Sequence, residues 1–153
     1  MTTFTTATTI KGEIGPLTQT VYDFCAAQGQ VLAAGVTRPE DWEPMSRYLA
    51  PDFKRVGAYL EELNYADYCD FLTGWAAGGT RFEYTEFHIS EIGDAVFQEI
   101  EERHWHGEQF IRKNVIAVYR FTPEGKIRHL DIYEQANDSG DWIKDAAKEV
   151  MEA

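Results

Sequence analysis

The chain has 153 residues, a one-domain length that buries about two-thirds of its unfolded surface without disulfide or metal staples. Fourteen Lys and Arg against 26 Asp and Glu leave a formal charge of −12, which repels nucleic-acid phosphates and anionic lipid and argues against both as partners. No apolar run reaches the roughly 18 residues of a membrane span, and the Thr-rich start lacks a signal-peptide core, so the expectation is a cytoplasmic protein.

Cys25 and Cys69 show no Cys-x-x-Cys or Cys/His finger spacing and read as buried reduced thiols, in keeping with that compartment. Nine Phe, eight Tyr and four Trp make 14% of the chain. Aromatic side chains bury large areas and line pockets for flat ligands, which favours a small-molecule site.

In chain order, Thr2, Thr3, Thr5, Thr6, Thr8 and Thr9 crowd a start with little to bury beyond Phe4 and Ile10. Residues 1–15 read as a flexible tail or a loose edge strand, and 16–153 as a single domain. From Pro16, apolar residues at Leu17, Val21, Phe24, Cys25, Val31 and Leu32 recur at helical spacing up to Gly35. A second, short helix is predicted with Thr37 as N-cap, Pro39 in its first turn and Trp42, Met45 and Leu49 as its apolar stripe, closing before Pro51. A strand begins over Asp52 to Arg55 and is interrupted by Gly57. Asn64 then caps a third helix carrying Tyr65, Tyr68, Cys69, Phe71, Leu72 and Trp75, which stops at Gly78-Gly79.

Past Thr80 the period changes from 3.6 to 2. Four strands are predicted over Arg81–Ile92, Ala95–His106, Gln109–Thr122 and Lys126–Ala136, with short turns that make them an antiparallel meander. Trp142, Ile143, Ala146 and Val150 predict a C-terminal helix capped by Asp138 or Ser139. Helices first and a long sheet afterwards is an α+β arrangement in which the helices cover one face of the sheet.

No metal-ligand spacing, Gly-rich phosphate loop, dinucleotide fingerprint or nucleophile elbow is present, so side chains, without a cofactor, are expected to carry the chemistry. The densest set is Glu101-Glu102-Arg103-His104-Trp105-His106. Strand alternation puts Val96, Gln98, Ile100, Glu102, His104 and His106 on one face. Glu102 beside His104 could orient the imidazole as an acid–base pair requires; the alternative is a wet strand end at the Gly107 turn. Arg55, Gly57 and Tyr59 share one alternation, and the missing side chain at Gly57 suggests room for a ligand beside Tyr59. An exposed strand edge is the alternative there. On the last strand Leu130 and Ile132 read as inward, so Asp131 needs a bulge to reach a pocket. His88, alone in Phe87-His88-Ile89, reads as a structural residue or at most a substrate contact.

The order helix, Trp-containing short helix, Leu49-Ala50-Pro51-Asp52, strand, helix, Phe87-His88-Ile89 and a last hairpin with Glu124-Gly125-Lys126-Ile127 before Tyr133 resembles the nuclear transport factor 2-like superfamily over about Val21 to Gln135. The resemblance implies a cone: a strongly curved antiparallel sheet wrapped around helices, with a deep pocket at the open end. That superfamily includes ketosteroid isomerase, scytalone dehydratase, limonene-epoxide hydrolase, SnoaL-like polyketide cyclases and binding-only members. Where limonene-epoxide hydrolases carry a first-strand Tyr and Asn this chain has Arg55 and Gly57, and their later Arg and Asp fall at Ile100 and Glu102. Their last-strand Asp matches Ile132, or Asp131 with a gap. Scytalone dehydratase is similar in the spacing of Asp41-Trp42 to Ala50-Pro51, and a catalytic His of that enzyme matches His106; its first-strand Tyr falls on Gly57, with Tyr59 as the substitute.

The resemblance thus implies a cofactor-independent, dehydratase-like lyase on a hydrophobic, hydroxylated aromatic molecule. It is similar, too, to lyases of lignin-derived diarylpropanes, which lose water through a quinone methide and then release formaldehyde. The expected catalytic set is Tyr59, Arg55, His104, His106, Glu102 and Asp131, with Tyr22, Tyr68, Phe71, Trp75 and His88 as substrate contacts. An epoxide hydrolase or isomerase, and a non-catalytic binding or dimerisation module, are the alternatives. A homodimer through the open sheet face is expected.

Overall fold

A computed structural model describes residues 2–6, 14–135 and 141–152. The first helix, α1 (Pro16–Ala34), starts with Pro at N1 and has Gly15 as its N-cap, without a side-chain cap. The cap comes instead from across the fold. Glu91 accepts from the Thr18 amide at 2.7 Å and from its hydroxyl at 3.0 Å, setting a carboxylate on the positive end of the helix. A Cβ at position 15 would run into that carboxylate, so glycine here leaves room for Glu91 to reach the helix end.

The segment Pro39–Tyr48 is a 3-10 helix, and its N-cap is Arg38 rather than Thr37. The Asp41 carboxylate reaches back to the amides of Thr37 and Arg38, at 2.9 and 3.2 Å, so acceptance is supplied from inside the helix. Residues three apart eclipse in a 3-10 helix, and Trp42 and Met45 are both fully buried. Strand β2 (Leu49–Val56) then starts three residues earlier than expected and contains Pro51. Its register against the last strand shifts between Leu49 and Lys54, where a proline that lacks an N–H is tolerated.

A short strand, β3 (Glu62–Asn64), hairpins back onto β2; three residues carry too little alternation to be seen in sequence. Asn64 caps α2 (Tyr65–Ala76) by accepting from the Asp67 amide at 2.9 Å, as predicted. The four long strands follow at nearly the expected bounds: β4 (Arg81–Ile92), β5 (Ala95–His106), β6 (Gln109–Phe121) and β7 (Ile127–Glu134). A C-terminal helix, α3 (Asp141–Met151), is present; its expected caps, Asp138 and Ser139, lie outside the described residues.

Strand β1 (Thr2–Thr6) pairs with Phe82–Glu86 as an edge strand, one of the two arrangements expected of the Thr-rich start. The sheet order is β1-β4-β5-β6-β7-β2-β3. It is mixed rather than wholly antiparallel: β4 to β7 form the meander, but β1 joins β4 and β2 joins β7 in parallel. Short turns dictate only the meander, whereas β2 reaches its neighbour after a helix and four strands have intervened.

The core lies between the concave face of this open, curved sheet and the helices. Val21 and Phe24 of α1, Trp42 and Met45, Phe53 of β2, Tyr68 and Leu72 of α2, and Val96, Tyr119, Phe121, Ile127 and Leu130 of the sheet form one buried cluster. Tyr84, Ile100 and Val115 make a smaller one nearby. Among the described residues, no helix is long and apolar enough to cross a membrane.

Candidate functional site

Between α1, α2 and the concave face of the sheet lies a cavity of about 470 Å³, within the range of small-molecule sites. Trp75, Phe71 and Tyr68 line it from α2, Cys25 and Gln28 from α1, and Arg55 from β2. The sheet contributes Tyr84, Gln98, Glu102, His104, His106, Lys113 and Tyr119. The predicted face of β5 is therefore realised. Its first half, Val96, Gln98 and Ile100, is buried in the core, and the second half, Glu102, His104 and His106, opens onto the cavity.

The hydrogen bonds of the two histidines assign their protons. An indole N–H only donates, and Trp75 Nε1 lies 3.1 Å from His104 Nδ1. His104 Nδ1 is then the acceptor, the ring proton sits on Nε2, and that atom donates to Glu102 Oε2 at 3.1 Å. Both ring nitrogens of His104 are committed. His106 is arranged the other way. Thr80 donates its single hydroxyl proton to the Trp75 carbonyl at 2.5 Å, so the contact of 3.0 Å between Thr80 Oγ1 and His106 Nδ1 is one in which His106 donates. His106 Nε2 keeps its lone pair, near Gly78, where a Cβ would come within 3.6 Å of it. Trp75 thus fixes one histidine through its indole and the other, by way of Thr80, through its carbonyl.

Deeper in the cavity the polar groups form a buried chain. Gln98 donates to Glu86 at 3.0 Å, Tyr22 donates to the other Glu86 oxygen at 2.8 Å, and Tyr119 donates to Gln98 at 3.1 Å. Burial pushes the Tyr84 and Tyr119 phenols far above the ordinary tyrosine range, and it pushes the Cys25 thiol up to about 11. These groups stay protonated near neutral pH and offer hydrogen bonds rather than basic sites.

Arg55 lies over the rings of Phe71 and Tyr68, 4.8 and 5.6 Å from their centroids. Its Nη1 sits 3.7 Å from Glu61 Oε1.

Of the expected residues, Arg55, Glu102, His104, His106, Tyr68, Phe71 and Trp75 come together around the cavity; Tyr59, Asp131, Tyr22 and His88 do not. β2 ends at Val56 and the chain turns through Leu60, which adopts a positive φ of 65°. Alternation stops there, and Tyr59 stands 89% exposed. The space at Gly57 is not open either, because a Cβ there would strike the Glu61 carboxylate. No bulge turns Asp131 inward. Leu130 and Ile132 line the cavity while Asp131 pairs on the other face with His129 at 3.0 Å and Arg120 at 3.6 Å. Tyr22 packs beside the core with its hydroxyl on Glu86, and His88 is exposed just after a register shift in β4.

Sequence reasoning missed Tyr84, Lys113, Tyr119, Gln98 as a polar group, and Thr80. The signal was available for three of them. Tyr84 shares the alternation of buried Glu86, and Lys113 and Tyr119 share that of Val115 and Ala117; pairing each strand with β5, which sets Lys113 opposite Glu102, would have found them.

No protein-family model and no curated protein matches the sequence. Solved structures do match. A protein described as a SnoaL-like polyketide cyclase of Shewanella denitrificans is 13% identical at a TM-score of 0.64, over 79% of this chain and 92% of that one. The BvnE pinacolase of Penicillium brevicompactum is 14% identical at 0.62, over 88% and 94%. An epoxide hydrolase of M. tuberculosis resembling limonene-epoxide hydrolase is 19% identical at 0.55, over 74% and 84%. At such identities the likeness is one of fold.

Proposed function

We propose that this chain, whose fold is that of the nuclear transport factor 2-like superfamily, is a cofactor-independent lyase that eliminates water from a hydrophobic, hydroxylated aromatic molecule. The observation that carries the reading is the proton placement on His106: with Nδ1 held by Thr80, its Nε2 can take up a proton and return it without breaking any hydrogen bond. His104 has no such freedom, since protonating Nδ1 would expel the Trp75 indole.

Elimination then needs one shuttling group. His106 Nε2 removes a proton from the substrate, from a carbon or a phenol oxygen, and the electron pair left behind forms the new double bond. The C–O bond of the leaving hydroxyl breaks with its own pair. The imidazolium delivers the same proton to that oxygen, so water departs and His106 is neutral again. Tyr84 and Tyr119, kept neutral by burial, line the cavity without adding a base that competes with His106. His104 and Glu102 hold Trp75 in place. Proteins described as a cyclase, a pinacolase and an epoxide hydrolase share this fold, which supports small-molecule conversion. Among the described residues, Glu102 is the one carboxylate lining the cavity, an arrangement that favours elimination over hydrolysis by a carboxylate pair.

The test is product analysis by mass spectrometry on a panel of aryl alcohols and 1,2-diarylpropane-1,3-diols. His106→Ala should lower turnover about a hundredfold or more while changing stability by less than about 1 kcal/mol, and His88→Ala should change neither. Full activity is expected after exhaustive chelation. Wild-type turnover in His106→Ala would refute the assignment.

A further inference from the structure

We infer that the substrate carries a carboxylate, which is seated on Arg55 at the wall of the cavity opposite His106. This deepens the reading above, because it concerns the same cavity, but it rests on separate observations. The first is an unsatisfied donor. The Arg55 side chain is only 14% exposed, and its Nη1 is buried without a hydrogen-bond partner; among the described residues it is the one cavity-lining side-chain atom in that state. A buried N–H left unpaired costs stability, more so on a cation. Glu61 supplies charge at 3.7 Å but no hydrogen bond, and is itself 34% exposed.

The second observation is local charge. Within a chain of net charge −12, the cavity wall carries two cations, Arg55 and Lys113, against the single carboxylate of Glu102. Lys113 is already held by Glu134 at 2.7 Å. Arg55 is left as the group able to receive an anion, and its position over the Phe71 and Tyr68 rings restricts the guanidinium before a ligand arrives. A guanidinium fork matches a planar carboxylate better than a neutral oxygen.

Position adds a length. Across the sheet β5 and β2 are three steps of about 4.8 Å apart, and along the strands Arg55 is in register, through Leu130 and Tyr119, with Val96, ten residues from His106 on β5. A molecule that reaches both Arg55 and His106 is elongated. Its acid group sits at one end, the departing hydroxyl at the other, and an aromatic body between them lies against Phe71 and Trp75.

Calorimetric titration of the full chain with biphenyl-4-carboxylate, biphenyl-4-carboxamide and 4-phenylphenol tests this without any turnover. The carboxylate should bind about tenfold tighter than its neutral isostere, as expected for a charge-assisted hydrogen bond. That preference should fall to about threefold or less in Arg55→Met, persist in part in Arg55→Lys, and be unchanged in His106→Ala. Equal binding of acid and amide by the wild type, tightest binding of the phenol, or a tenfold preference surviving in Arg55→Met would overturn the inference. The wild-type comparison decides even should Arg55→Met fold poorly. A preference for the acid in a protein whose His106→Ala variant keeps full turnover would leave this inference standing and remove the lyase reading.

Discussion

Each histidine of the cavity takes its tautomer from one neighbouring group. His104 is the Nε2–H tautomer because an indole cannot accept, and His106 is the Nδ1–H tautomer because Thr80 has spent its proton on a carbonyl. Nitrogen-15 NMR of the side chains should therefore show opposite tautomers for the two rings at neutral pH, and Trp75→Phe should scramble that of His104 while leaving that of His106. The same tautomer on both rings would undo the proton assignment. Burial acts on other residues in the same pocket. Burial raises the Cys25 thiol from 9.0 to about 11, so between those values the unfolded chain has lost a proton that the native state keeps. This contribution is fully present below about pH 9 and is lost as pH rises toward 11. The raised phenols of Tyr22, Tyr84 and Tyr119 extend the decline above pH 10. Urea midpoints should fall across this alkaline range, and less steeply between pH 9 and 11 in Cys25→Ala; parallel slopes for the two proteins would contradict the burial argument.

At the scale of elements, the helix that supplies the aromatic wall hangs on one cap. Tyr68, Phe71 and Trp75 sit on α2, whose first turn is closed by Asn64. Asn64→Ala should cost about 1 kcal/mol and loosen aromatic ligands as the helix start frays, whereas Asn64→Asp should retain most of both; thermal melts with and without biphenyl-4-carboxylate measure the two effects. Asn64 was legible because a capping residue is a local signal, three positions from the amide it serves. The strands β4 to β7 were legible for a related reason, since period-two patterning and Gly turns at Gly93, Gly107 and Gly125 are written within a few residues of one another. The 3-10 geometry of Pro39–Tyr48 was not, because its stripe of Trp42 and Met45 fits a spacing of three in either helix type, and the accepting carboxylate lies inside the helix at Asp41 instead of ahead of it. Tyr59 was misassigned by extending alternation past the end of its strand, whereas alternation does put Asp131 on the face opposite Leu130 and only a bulge that the strand lacks there would turn it inward.

For the molecule as a whole, the parallel closure of β2 on β7 brings Arg55 to the cavity, and no local pattern announces it. The two strands come together over seventy residues of intervening chain, held by what lies under them. Phe53 is the centre of that support. It is 1% exposed, its ring lies 5.6 Å from that of Tyr68, and it belongs to the main core cluster with Trp42, Ile127 and Leu130. Removing it empties space that neither the strand nor α2 can fill, because β2 is pinned between β7 and β3. Phe53→Ala should therefore cost about 3–5 kcal/mol, a large share of the roughly 5–15 kcal/mol that a domain possesses. The loss should extend beyond stability. Tyr68 loses its packing partner and Arg55, two residues along β2 over the Tyr68 ring, loses its floor, so affinity for biphenyl-4-carboxylate should drop more than affinity for the amide. Leu60→Ala, at a site 81% exposed in the loop that ends the same strand, should stay within about 0.5 kcal/mol of the wild type. Similar denaturation midpoints for the two variants would mean that β2 is held by its ladder alone and not by the core beneath it.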